Sequence, residues 1–113
     1  MELGNQLPLT EATFFILLSL VPEPRHGYAI LKDVQALSEG RMLLNTGTHY
    51  GAIKRLLALE WITRVDDPLP NSTERQREVY TMTVLGRSIL VTENIRLQQM
   101  ASKAALRLSG DPS

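Results

Sequence analysis

Thr48, Tyr50, Lys54 and Arg55 fall within one short stretch and carry side chains of the kind that grip nucleic acid. Hydroxyls donate to phosphate oxygens or to base edges, an ammonium supplies positive charge, and a guanidinium forks onto the edge of a guanine. All four belong to the segment Thr46 to Trp61, in which Asn45 and Thr46 are both good helix N-caps. Ile53, Leu56 and Leu57 recur at helical spacing, with His49 and Glu60 on the same side. Thr48, Gly51, Lys54, Arg55 and Ala58 take the opposite side, which is small, polar and basic. A helix that packs one side on a core and turns such a face outward suits a DNA major groove. Gly51 costs about 1 kcal/mol against Ala inside a helix, and close approach to a phosphate backbone is one compensation. The plain alternative is an ordinary surface helix with two adjacent basic residues.

The composition leaves little room for other chemistry. There is no cysteine, which removes disulfides and thiolate metal sites. The two histidines, His26 and His49, have no acidic partner at a catalytic spacing. Gly47 and Gly51 do not make a phosphate loop, because the required Gly-Lys-Ser/Thr is missing. No catalytic residue, metal site or cofactor is expected, and an enzyme is not.

A length of 113 residues makes one domain the default, and a hydrophobic fraction of 43% is enough for a packed core. The first residues, Met1-Glu-Leu-Gly-Asn5, lack the basic start of a secretory signal, and Phe14 to Val21 is too short to span a membrane. A soluble cytoplasmic protein with no membrane partner is expected. Twelve basic and 12 acidic residues cancel, which counts against avid non-specific DNA binding. The charges are uneven, however. Residues 1–24 hold Glu2, Glu11 and Glu23 and no basic residue, whereas residues 41–64 hold Arg41, Lys54, Arg55 and Arg64 against Glu60 alone.

Around this segment the pattern predicts a first helix from Thr10, its N-cap, to Val21, ended by Pro22-Glu-Pro-Arg25. That helix is apolar nearly all round, so more than one side must be covered. A second subunit over Phe14, Phe15 and Leu18 and burial within one chain are equal alternatives. A second helix is predicted over His26–Ser38, with an inner stripe of Ile30, Val34 and Leu37 and with Gly40 as its stop. Arg41 to Leu44 is a connector or a short strand. The third helix runs from Thr46 to about Leu59, completing a helix-turn-helix with a long turn. Ile62–Val65 and Arg77–Met82 read as the strands of a β-hairpin, with Val79 on one face and Glu78, Tyr80 and Met82 on the other. Arg75 and Arg77 stand at its loop end. Thr83 caps a last long helix to about Leu108, on which Leu97, Met100, Ala101, Ala104, Ala105 and Leu108 form one stripe beyond anything left in the chain to pack on it. Its simplest cover is a second copy. The expected fold is therefore mainly α: a winged helix-turn-helix (α-α-α-β-β) over residues 1–82, a C-terminal dimerisation helix over 83–108, and a disordered tail over 109–113.

Three motifs in this order resemble the PadR family of transcriptional regulators. His26-Gly-Tyr-Ala-Ile30 resembles its HGY(E/A)I signature, and Gly47-Thr-His-Tyr-Gly-Ala-Ile-Lys-Arg-Leu56 resembles its GTLYxxLxRL recognition helix. Arg77-Glu-Val-Tyr-Thr-Met-Thr83, with Gly86 and Arg87, resembles the RxYYxLTxxGR pattern that closes the wing. The resemblance implies a homodimeric winged-helix repressor of the short-tailed subgroup, with double-stranded operator DNA as its partner and with release by phenolic acids, drugs or other small effectors. There are departures. His49 stands where Leu is usual, on the core face, where a satisfied buried side chain is expected. Glu60 stands where a turn Gly is common, Val79 replaces a tyrosine, and Thr81 replaces a frequent basic residue.

On this reading two recognition helices enter successive major grooves of a palindromic operator, about 34 Å apart. Thr48 and Tyr50 would contact phosphates and base edges, while Lys54 and Arg55 supply charge, Arg55 at a guanine edge. Tyr28 and Lys32 would hold the backbone, and Arg75 and Arg77 would seat the wing. Tyr50 has a core reading too, since it borders the apolar face. The dimer interface would comprise Phe14, Phe15, Leu18, Leu97, Met100, Ala101, Ala104 and Leu108. The rival is a winged-helix protein–protein interaction module without DNA binding, which zero net charge also fits.

Overall fold

The computed structural model describes residues 7–65 and 78–110. The elements are α1 (Glu11–Ser19), β1 (Arg25–His26), α2 (Gly27–Leu37), α3 (Thr46–Ala58), β2 (Ile62–Val65), β3 (Val79–Met82) and α4 (Val84–Leu108). The fold is a mainly helical winged helix with a small antiparallel sheet and a long last helix. One strand more is present than the α-α-α-β-β pattern holds. The pair Arg25–His26 joins β3 on the edge that a two-stranded hairpin leaves open, giving the order β1-β3-β2. A two-residue strand has no periodicity to read, so only the pairing reveals it. The other edge of β3 pairs with β2 in the register Ile62↔Met82 to Val65↔Val79. With β3 in the centre, Val79 and Tyr80 are both buried, and the expected division of the strand into an inner and an outer face does not hold.

The core is one cluster. Ile16, Leu17 and Leu20 of α1 meet Ile30 and Val34 of α2, Ile53 and Leu56 of α3, Trp61, Ile62 and Tyr80 of the sheet region, and Ile89 and Leu90 of α4. Cover for α1 comes largely from its own chain, through α2 and α4. Phe14, Phe15 and Leu18 remain only half-buried. On α2 the inner stripe is Ile30, Val34 and Ser38, not Leu37, which is exposed. Four residues return more nearly to one face than three do after Val34, and the buried Ser38 hydroxyl is satisfied: it donates to the Gln35 carbonyl and accepts from the Met42 amide at 2.9 Å.

Chain reversals at the helix ends follow from local hydrogen bonding. Thr10 caps α1, its hydroxyl accepting the Thr13 amide at 3.1 Å. At the end of α2 the Gly40 amide reaches the Gln35 carbonyl and the Glu39 amide reaches Ala36, a Schellman closure. The residue that turns left-handed first is Glu39, at φ 53°, followed by Gly40 at φ 81°. Arg41 to Leu44 is a connector without strand pairing, tethered by an ion pair between Arg41 and Glu11 at the start of α1.

Thr83 caps α4 and clasps the end of α3. Its hydroxyl donates to the Glu60 carbonyl at 2.7 Å and accepts the Gly86 amide at 3.0 Å, while its amide donates to the Trp61 carbonyl at 3.0 Å. A Cβ at Gly86 would lie 2.0 Å from that Trp61 oxygen, so only glycine lets α4 start this close to the sheet. No break in packing falls at 82/83: Gly86, Ile89, Leu90 and Glu93 are buried with the winged helix, and only the later part of α4 leaves it. Ser109 and Gly110, expected in the tail, close α4 instead, with Gly110 at φ 83°. The projecting helix accounts for a radius of gyration of 16.4 Å, where a compact chain of this length has about 13 Å.

Candidate DNA interface

The helix that offers the outward face, α3, is fixed at both ends. Asn45 is the N-cap, its side-chain oxygen accepting the Thr48 amide at 2.7 Å, which makes Thr46 the first helical residue. The far end closes through the Trp61 amide on the Leu56 carbonyl and the Glu60 amide on Leu57, again a Schellman pattern. Glu60 holds the left-handed position at φ 63° and is exposed, so it lies past the helix and not on the core face beside His49. Trp61 and Leu56, on either side of this closure, are both buried in the same core cluster.

The amino end of α3 is seated on the start of α2. His49 is fully buried and its Nε2 lies 2.9 Å from the Gly27 carbonyl oxygen. Burial pushes its pKa below the ordinary 6.5, against a smaller upward pull from that carbonyl. The Tyr50 ring stands edge-on to the His49 ring at 5.0 Å and lies over Gly27, where an added Cβ would be 2.6 Å from Tyr50 Cε1. Tyr50 is thus a packing residue with its rim in solvent, at 36% exposure.

The opposite side of α3 is open. Thr48, Gly51, Lys54, Arg55 and Ala58 are all exposed. Among the described residues nothing lies within 4 Å of the place a Gly51 Cβ would take, so no contact with them explains that glycine. The Arg55 guanidinium leans toward α1, 3.4 Å from the Thr13 hydroxyl, a long contact that holds it weakly. On α2, Tyr28 is 62% exposed and the Lys32 ammonium lies 5.9 Å from its ring centre, at the outer edge of a cation–π contact. The structure therefore puts Thr48, Lys54, Tyr28 and Lys32 at the surface, and turns Tyr50 and Arg55 partly toward packing contacts. Arg75 and Arg77 lie outside the described residues. On β2, Arg64 is exposed and faces Glu78 at 3.5 Å. That pair helps hold the Tyr80 phenol, whose hydroxyl donates to Glu78 at 2.8 Å and whose pKa burial pushes up to about 12.

Two features were not legible in the sequence. The bond from His49 to Gly27 joins residues 22 apart in the chain, and the Gly86 approach joins a helix to a strand end. The glycines themselves were the only signal. Among the described residues no group of three or more His, Asp or Glu is placed to hold a metal, and no helix is long and apolar enough to cross a membrane.

The sequence matches the transcriptional regulator PadR-like family over residues 16–92. The chain belongs to that family. No curated protein sequence matches it. Among solved structures it is similar to a PadR family transcription regulator of hypervirulent Clostridium difficile, with 22% identity and a TM-score of 0.70 over 90% of this chain and 100% of that one. A PadR-like transcription factor of Bacteroides fragilis gives 22% identity and 0.66 over 82% and 85%. BpsR of Bordetella bronchiseptica, whose DNA binding is regulated by 6-hydroxynicotinic acid, gives 22% and 0.59 over 96% and 88%. At these identities the likeness is one of fold.

PadR-like proteins are transcriptional regulators, and this chain has their winged helix and long last helix. The face that α4 buries through Gly86, Leu90 and Glu93 continues along the same side of the helix as Leu97, Met100, Ala101, Ala104 and Leu108, all exposed. Where α4 leaves the core, Glu93 is buried. Its carboxylate accepts the Leu9 amide at 2.9 Å and a two-pronged bond from Arg96, which above all holds its pKa below the ordinary 4.5.

Proposed function

We propose that this PadR-like regulator is a homodimeric repressor that binds a palindromic operator through α3 and is released by a small effector. The carrying observation is the outer face of α3: among the described residues, Thr48 and Lys54 stand exposed, Lys54 has no ion pair, and no contact requires the glycine at 51 between them. Thr48, at the capped start of the helix, would meet a phosphate or a base edge, and Lys54 would supply charge to the backbone. Arg55 would leave its weak contact with Thr13 to reach a guanine. Tyr28 and Lys32 would flank the site on the backbone, with Arg75 and Arg77 on the wing.

The second copy would cover the stripe Leu97, Met100, Ala101, Ala104 and Leu108, together with Phe14, Phe15 and Leu18 of α1. Alanines at 101 and 104 allow two helices to approach closely. A two-fold axis between the copies would set two α3 helices about 34 Å apart, one turn of DNA. An effector acts on such a dimer only by binding unequally to different spacings of the two helices. The space between α1 and α4 of the paired chains is where it would do so.

The test is fluorescence anisotropy with DNA from upstream of the protein's own gene, titrated against salt, with the mass of the free protein measured by sedimentation. Two chains per site, resistance to competitor DNA and weakening as salt rises are expected. Lys54→Ala should lower the salt slope by about one per chain. Binding to a protein partner with no DNA preference anywhere would replace this reading with an interaction module.

A further inference from the structure

One polar contact seats the amino end of α3 on α2, and it comes from a residue where the family pattern has a hydrocarbon. The His49 Nε2 meets the Gly27 carbonyl at 2.9 Å, as an N–H donor must, which assigns the ring proton to Nε2. The other nitrogen, Nδ1, is buried and has no hydrogen-bond partner among the described residues. The pocket therefore accepts the neutral ring alone. A second proton would put an N–H and a full charge where no acceptor waits.

The neighbours offer no relief. On α3 itself the adjacent ionisable group is Tyr50, edge-on at 5.0 Å. The α2 side contributes the Gly27 carbonyl, while Tyr28 and Lys32 are exposed and Asp33 is half-exposed. From β1, Arg25 is engaged with the Ser19 carbonyl, and His26 directly precedes Gly27. On α1, Glu11 is engaged with Arg41. Among the described residues no carboxylate forms an ion pair with the ring, and the shift in its pKa follows from burial and the Gly27 carbonyl.

We propose that neutral His49 is a positioning residue for the DNA interface: its bond to Gly27 sets how the first turn of α3 sits on α2, and a proton at Nδ1 unseats that turn together with Thr48 and Tyr50. The proposal rests on the DNA-binding reading above, and His49 itself touches no DNA in it. Acid then weakens operator binding through the scaffold and not through the contacts.

Wild type, His49→Leu and His26→Gln are compared on one duplex by anisotropy, from about pH 8 to about pH 5 at fixed ionic strength. Leucine is the family's usual residue, so His49→Leu keeps the apolar seat without the proton. Wild-type affinity should fall toward acid by up to about tenfold per pH unit for each chain. His26→Gln should follow it, and His49→Leu should lose that fall. Parallel profiles for wild type and His49→Leu overturn the proposal. Heteronuclear NMR of the free protein decides it without DNA. As His49 takes up its proton, the amide signals of Gly27, Thr48 and Tyr50 should shift together while those of Ile89 and Leu90 hold. Protonation that leaves the α2–α3 signals in place overturns the positioning role. A wild-type protein that binds no DNA even at about pH 8 defeats the regulator reading, and the NMR result still stands for His49.

Discussion

Gly86→Ala should disrupt this fold more than its chemistry suggests. In an exposed helix the change gains about 1 kcal/mol. Here the new Cβ would lie 2.0 Å from the Trp61 carbonyl oxygen, 2.9 Å from its carbon and 3.1 Å from Met82 Cγ. Carbon and oxygen rest about 3.3–3.6 Å apart even in close C–H···O contacts, so the oxygen must retreat by roughly 1.3 Å. It cannot swing away like a side-chain tip, because it is backbone held by the Thr83 amide and hydroxyl, both at 3.0 Å. The hydroxyl shares its one proton with the nearer Glu60 oxygen, so the loss is close to one full bond, about 1 kcal/mol. Opening the packing of Trp61, Ile89 and Leu90 costs a further 1–3 kcal/mol, roughly the cost of overpacking a core. After the helix gain, the net loss is about 1–3 kcal/mol, a sizeable part of a small domain's stability of about 5–15 kcal/mol. Urea denaturation followed by tryptophan fluorescence reads it directly, since Trp61 is the chain's one tryptophan and is buried at the contact. A Gly86→Ala protein within about 0.5 kcal/mol of wild type would refute the close seating of α4 on the sheet.

Three further outcomes are expected. Glu60→Gly should stabilise the protein by about 1 kcal/mol, because Glu60 holds a left-handed φ of 63° that glycine adopts freely; an equal or lower denaturation midpoint would count against it. Gly51→Ala should raise stability by about 0.5–1 kcal/mol in the free protein yet weaken operator binding, since the space beside it is open to the duplex; gains in both would remove Gly51 from the interface. Stability should be flat from about pH 6.5 to about pH 10, where the raised Tyr80 begins to cost it, and should fall in two stages below 6.5. His49, depressed by burial, makes the unfolded chain the better proton acceptor from about 6.5 down to its folded pKa. Glu93, depressed mainly by Arg96, adds a loss below 4.5, and Glu93→Gln should remove that second stage in acid denaturation curves.

Much of this protein is written in local sequence. Thr10 and Thr83 were legible as caps because a hydroxyl before an apolar periodic run has an amide to accept, and both do so. The stripe of α3 followed from spacing, since Ile53 and Leu56 return to one side every three or four residues whatever the rest of the chain does. The family motifs carried the order of the elements. Sequence pattern and structure part where a position's role depends on its neighbours in space. Leu37 and Ser38 are adjacent, and hydropathy favours the leucine, but Ser38 is the one buried, its hydroxyl satisfied by Gln35 and Met42. Glu60 continues the α3 periodicity on paper, yet the chain had already turned.

The helices, their capping and the polar character of the α3 face follow from local sequence, because they depend on side chains within a turn or two of one another. What the glycines and His49 are for depends instead on how the elements pack. Gly27 admits the ring of Tyr50, Gly86 admits a carbonyl, and His49 meets a backbone oxygen at the start of another helix. Such demands come from the distance between surfaces remote in the chain, and no local pattern encodes that distance.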